Sequence, residues 1–220
     1  MATLSAMQTS LRGLLGEDNP NGSWFTPTFL TDQLNGAMQE LYNEMVEASV
    51  DFFTKTTAIN LTVSTELYNL PADFYKVVLV ERTDQVVPVP IRPIDITQRS
   101  RYLYSTVNPS SLVVGELRFY LQGVQIGLVP LPTDSTGVVT LHYVPTPVLM
   151  AGVNDTPPAG WPANHHEVIV WGAAKRCGVR DKDLFKLFDD NHKRLWEALK
   201  AHLNQRQTQE PRTIVDTDME

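Results

Sequence analysis

His165, His166 and Glu167 stand side by side, the residue types that a bound metal or an acid–base pair would use. His166 followed by Glu167 opens a zinc-protease helix, but Val170 occupies the position of the required second histidine. Neighbouring residues on a helix also point about 100° apart, so His165 and His166 cannot readily share one ion. They read as groups decorating a helix start, and no metal or other cofactor is expected. His142, His192 and His202 are isolated in sequence and read as packing or surface groups.

Other chemistry is equally thin. A phosphate-cradling glycine loop and a G-x-S-x-G elbow are both missing, which argues against nucleotide hydrolysis and serine-esterase chemistry. The acid pairs Glu17 with Asp18 and Asp189 with Asp190 would suit a glycan hydrolase in principle. The first lies in a Gly/Asn/Pro loop and the second among lysines, so both are expected to be solvated charge. Cys177 is the single cysteine, which excludes an intramolecular disulfide and reads as a small buried hydrophobe. The sequence therefore predicts no catalytic residue and no enzyme.

Composition points towards assembly. The chain has 220 residues, 42% of them hydrophobic, enough for one large domain or two small ones. No apolar run approaches the roughly 20 residues of a membrane span, and no basic start leads into a leader-like apolar stretch; a soluble, non-secreted protein without membrane partners is expected. With 18 bases against 25 acids, it lacks the basic footprint of a sequence-specific DNA binder. The charge is unevenly divided: residues 1–50 carry one base and six acids, whereas residues 161–204 carry eight bases and six acids.

The elements follow from periodicity. Leu4, Met7, Leu11, Leu14 and Leu15 predict a first helix that ends in the turn-rich stretch Gly16–Ser23. A second is expected to be capped by Thr31, with the stripe Leu30, Leu34, Ala37, Met38, Leu41 and Met45; Tyr42 and Val46 widen its apolar surface. Between about Val50 and Pro147 the signals are those of strands. Pro71 forces Leu70 into an extended conformation and ends one strand, and Val77–Val80 begins the next. Alternation through Leu117–Gln122 and Val124–Leu128 predicts a hairpin, and Val138–Tyr143 is expected to complete a meander with it. Prolines 88, 90, 93, 130, 132, 145 and 147 would block open sheet edges.

After Pro162, Asn164 is expected to cap a helix with Glu167 reaching back to it. Val168, Ile169, Gly172, Ala173 and Cys177 give that helix a stripe of small bulk. The last helix, about Asp183–Asn204, places Leu184, Leu187, Phe188, Asn191, Leu195, Ala198 and Leu199 on one face. Phe185, His192, Trp196 and Leu203 form a second stripe about 100° away, which one antiparallel neighbour cannot cover as well. Either this helix is central in its own bundle or the second stripe meets another subunit. Tyr42, Val46, Phe185, His192, Trp196 and Leu203 are thus the subunit-interface candidates. From Gln205 the chain is polar and is expected to order only on a partner.

The organisation expected is α+β: N-terminal helices of a bundle in residues 1–49, an inserted antiparallel β-sandwich or barrel-like region in 50–160, C-terminal helices of the bundle in 161–204 and an extended tail in 205–220. The run Leu67–Lys76, the helix beginning Thr31-Asp32-Gln33-Leu34-Asn35 with Ala37, the proline-rich stretch Asp155–Pro162 and two closing helices together make the chain resemble the head-to-tail adaptor proteins of tailed bacteriophages. That resemblance implies a structural virion protein of the neck, assembled in the host cytoplasm, with about twelve copies in a ring between the portal protein and a downstream tail or nozzle protein. It also implies that the C-terminal segment binds the portal, which makes Arg206, Arg212, Ile214 and Val215 the portal-binding candidates. An acidic ring suits a conduit through which double-stranded DNA passes without sequence-specific binding. Two other readings compete: a tail-completion or tube-terminator protein, and a cell-wall hydrolase, an activity credited to some related adaptors.

Overall fold

Thr3 stands in extended conformation and its hydroxyl accepts from the Ala6 N–H, so the first helix, α1 (Leu4–Leu14), starts there in the computed structural model. The structure describes residues 2–17, 24–48, 50–83, 87–103, 117–132, 135, 137–178 and 181–207. The chain divides into two units, one of residues 1–52 and 147–220 and one of residues 53–146.

In the first unit, α2 (Pro27–Ala48) begins a turn earlier than Thr31. Pro27, whose missing N–H costs nothing at a first helical position, is preceded by Thr26, whose hydroxyl accepts from the Phe29 N–H. The cap is therefore Thr26, and Thr31 instead donates to the Pro27 carbonyl. All of the expected stripe is buried, and so are Tyr42 and Val46, because α2 packs against α1, α4 and α5 at once. The helix α4 (Glu167–Cys177) is the centre of this unit. Its small residues allow that position: a Cβ built on Gly172 would lie 3.2 Å from the Ala37 Cβ of α2 and 3.2 Å from His192 Nε2 of α5 (Lys182–Gln207). Asn164 does not cap α4. It lies within a 3-10 turn, Ala163–His165, that starts directly after the extended Pro162, and the α4 start has no side-chain cap.

The segment after Thr146 was expected in the β insertion but belongs with the helices. Asn35, buried on α2, donates to the Met150 carbonyl (2.9 Å) and accepts from the Met150 N–H (3.0 Å). The Leu4 and Ser5 N–H groups, which no turn of α1 can satisfy, donate to the carbonyls of Asp155 (2.7 Å) and Val153 (3.0 Å). The Asp155 carboxylate in turn accepts from Ala151 and Gly152 N–H, which closes the loop and holds this carboxyl below the usual range.

In the second unit, the described strands form two four-stranded sheets. One has the order β1 (Lys55–Asn60), β8 (Val138–Pro145), β3 (Phe74–Arg82), β4 (Val89–Pro90). The other runs β2 (Leu67–Asn69), β7 (Gln125–Val129), β6 (Arg118–Gln122), β5 (Arg92–Pro93), with the short helix α3 (Arg99–Leu103) between β5 and β6 in sequence. Side chains alternating inward from both sheets make one apolar core, with Ile59, Val80, Val139 and Leu141 from the first and Phe119, Ile126 and Leu128 from the second. The fold is α+β with a sandwich-like β region. Pro71 does separate β2 from β3, and the β6–β7 hairpin turns at Gly123 in the left-handed region (φ +59°).

The meander does not form. β8 leaves the sheet of β6 and β7 and inserts between β1 and β3 of the other. Pro130 and Pro132 follow β7 directly and cannot donate to a ladder, so pairing stops at Val129 and the chain crosses before it pairs again.

Candidate interaction surfaces

On α5 the buried face straddles the two expected stripes. Phe188, Trp196, Leu199 and Leu203 are buried against the rest of the unit, with Phe185 and His192 half-buried beside them. Leu184 (43% exposed) and Leu187 (53% exposed) face solvent. The physical reason is α4. Packing against it takes Phe188 and Leu199 from the first stripe together with Trp196 and Leu203 from the second, and leaves Leu184 and Leu187 of the first outside. Trp171 of α4 meets Phe188 edge-on at 6.0 Å, and Lys200 lies 5.2 Å over the Trp196 ring. Tyr42, Val46, Trp196 and Leu203 are thus core residues of a single copy, not surplus apolar surface. Arg206 lies in the last turn of α5, which continues to Gln207 rather than ending at Asn204; Arg212, Ile214 and Val215 lie outside the described residues.

The solvent face of α2 is acidic. No lysine or arginine occurs between Pro27 and Ala48, and Asp32, Glu40, Glu44 and Glu47 are exposed. Arg176 of α4 lies along this face over Gly36, where a Cβ would meet its guanidinium at 2.7 Å, and reaches both the Gln33 side chain (3.2 Å) and the Glu40 carboxylate. A larger residue at position 36 would push the guanidinium aside. Lys175 and Lys193 both bind Asp189, at 2.7 and 2.5 Å, and these hydrogen bonds hold its carboxyl down to about 2. Asp189 is a clamped anion rather than freely solvated charge. Glu17 departs from expectation too, because its carboxylate pairs with the nearly buried Arg12 at 2.7 Å. Asp189 therefore stays ionised at neutral pH, unlike the proton-donating acid of a glycosidase.

His165 packs against His202 with ring centroids 5.3 Å apart, and burial together with that neighbour lowers its pKa. His166 does not join it in a cluster: among the described residues no group of three metal-ligating side chains comes together. Burial pushes the Cys177 thiol up to about 11, so it stays protonated and unreactive. Among the described residues no helix is long and apolar enough to cross a membrane.

Sequence reasoning missed one polar cluster in the β unit. Glu66, just before β2, takes a two-pronged ion pair from Arg99 of α3 and a hydrogen bond from the Tyr120 hydroxyl of β6. The Arg99 bonds hold the Glu66 carboxyl below its ordinary value, while burial and the Glu66 anion raise the Tyr120 phenol. Gly127, the cross-strand partner of Tyr120, lacks the Cβ that would otherwise occupy the place of the phenol ring. The three partners are far apart in sequence, and only the pairing of Tyr120 with a glycine hinted at the arrangement. Beside it, an apolar groove of about 390 Å³ runs along Val77–Val80, Ile94 and Phe119–Leu121.

A family model described as SU10 adaptor protein matches residues 2–216. The chain belongs to that family. It is a phage adaptor protein. The matched region spans residues of both units. No curated protein matches the chain.

Proposed function

We propose that this adaptor forms a ring, of about twelve copies by family resemblance, between the portal protein and the next tail or nozzle protein of a phage neck, and that double-stranded DNA passes through it. The family match over residues 2–216 is the observation that carries this reading. Subunits are made in the host cytoplasm, join the portal of the filled head and remain in the virion. The adaptor is not an enzyme and needs no cofactor. Its net charge of −7 favours a channel from which DNA is repelled rather than held.

The portal contact is assigned to the C-terminal segment. Arg206 sits at the end of α5, and Arg212, Ile214 and Val215 follow in residues that, fully extended at about 3.4 Å each, reach some 40 Å beyond the helix. Such a segment orders on a partner through backbone pairing and a few apolar anchors. Since Tyr42, Val46, Trp196 and Leu203 are used inside one copy, contacts between copies fall to surfaces still open, the leucine face of α5 among them.

Co-sedimentation with purified portal tests the proposal. The full chain is expected to sediment with portal, and a chain ending at Gln207 is expected to fold as before and remain in the supernatant. Equal sedimentation of both would move the portal contact elsewhere. Binding to purified tail tube instead of portal would favour the tail-completion reading.

A further inference from the structure

His165 and His202 are far apart in sequence, yet their rings stand 5.3 Å apart from centroid to centroid, tilted by 37°. Both are presented by firmly held backbone. His165 closes the 3-10 turn Ala163–His165, where its N–H donates to the Pro162 carbonyl (3.0 Å), a few residues after the buried Trp161. His202 lies near the end of α5, beside Leu203 and one turn after Leu199 at positions 202−3 and 202+1, both buried, which fix the rotation of the helix. Among the described residues neither imidazole makes a hydrogen bond or an ion pair, so the nitrogen lone pair of each neutral ring is uncommitted. Burial and the neighbouring ring lower the His165 pKa, which favours the neutral form. That is the form in which histidine binds a metal.

We propose that His165 and His202 form a two-histidine site for a first-row divalent cation of the zinc type. Zinc–nitrogen bonds of about 2.0–2.1 Å meeting at a tetrahedral angle place two imidazole centroids about 5 Å apart, the separation found here. Imidazole nitrogen selects zinc and its neighbours over Mg²⁺ and Ca²⁺, which take oxygen ligands. Among the described residues no group of three metal-ligating side chains comes together, so the remaining coordination positions are left to solvent, as in an open site. A bound ion ties the turn before α4 to the end of α5, next to the start of the C-terminal segment. The site goes beyond the adaptor reading and does not depend on it.

Zinc titration of the untagged full chain, freed of metal with EDTA and followed by calorimetry and by melting temperature, tests the site. One Zn²⁺ per chain is expected to bind and to raise the melting temperature, because the ion binds the folded state. Mg²⁺ is expected to do neither. Loss of even an outer partner of a metal ligand weakens binding about 10–100-fold, so His165→Ala and His202→Ala are each expected to weaken zinc at least about tenfold. His202 is exposed, so its variant is expected to keep the metal-free melting temperature and to separate binding from folding. His166→Ala is expected to bind zinc as the parent does. A parent chain that does not bind zinc, a His202→Ala chain that binds it as tightly as the parent, or an equal loss in His166→Ala would each overturn the inference.

Discussion

Gly172 of α4 and His192 of α5 are in contact so close that a methyl group on the glycine would lie 3.2 Å from the imidazole Nε2. Ala37 of α2 closes on the same spot from the other side, also at 3.2 Å. Three helices are held at one point by the absence of one side chain. Gly172→Leu is expected to force them apart and cost about 3 kcal/mol, read as a lowered urea midpoint. A variant with an unchanged midpoint would show that this crossing is slack.

His192 makes the same crossing sensitive to pH. Burial first, and then Lys175, lower its pKa, against Asp189 and Glu40 in the opposite sense, with Lys193 adding the smallest lowering. The neutral ring is favoured in the folded state, so the unfolded chain binds the proton more readily. Stability is fully present above the ordinary histidine value of about 6.5 and is lost as pH falls below it. His165, also lowered, adds to the same trend, whereas Asp189 at about 2 does not titrate there. Urea midpoints measured from pH 7.5 to pH 5 are expected to fall, and His192→Asn is expected to flatten the slope in part. A slope untouched by that change would place the proton elsewhere.

Asn35 is expected to matter more than its single side chain suggests. Asn35→Ala leaves both backbone groups of Met150 buried without partners, and the expected loss is about 3 kcal/mol. Amide exchange at Met150 and the neighbouring Ala151 is expected to quicken more than exchange in α5, since the loop and not the last helix loses its anchor.

In the β unit, Gly127→Ala is expected to destabilise by about 2–3 kcal/mol, because the new methyl would lie 2.2 Å from the Tyr120 ring and would displace the hydroxyl from Glu66. Adding Tyr120→Leu removes the obstruction. The double variant is then expected to lose less than the sum of the two single changes, and strict additivity would contradict the coupling.

Much of the fold was legible because it follows local rules. The stripes of α1 and α2, the stop at Pro71 and the hairpin around Gly123 depend on spacing or on one residue's backbone. What failed depends on who meets whom. Periodicity showed that α5 carries two apolar stripes but could not tell that the covered face would run between them, taking Phe188 from one and Trp196 from the other and leaving Leu187 out. The crossing of β8 to the other sheet was hidden for the same reason, since alternation in Val139, Leu141 and Tyr143 says which face is dry without naming the neighbour. Helix starts were misplaced where a second candidate stood one turn away, Thr26 for Thr31 and the 3-10 turn after Pro162 for Asn164. The interface argument built on Tyr42 and Trp196 consequently becomes a packing argument: Trp196→Ala is expected to cost about 3–5 kcal/mol of single-copy stability.

Native mass spectrometry of purified portal saturated with the full chain addresses the adaptor role most directly. Expected is a discrete complex in which many copies fill the portal together, with partly filled particles scarce because each added copy gains a lateral neighbour. Absence of binding, or a broad spread of independently bound single copies, would contradict a ring adaptor.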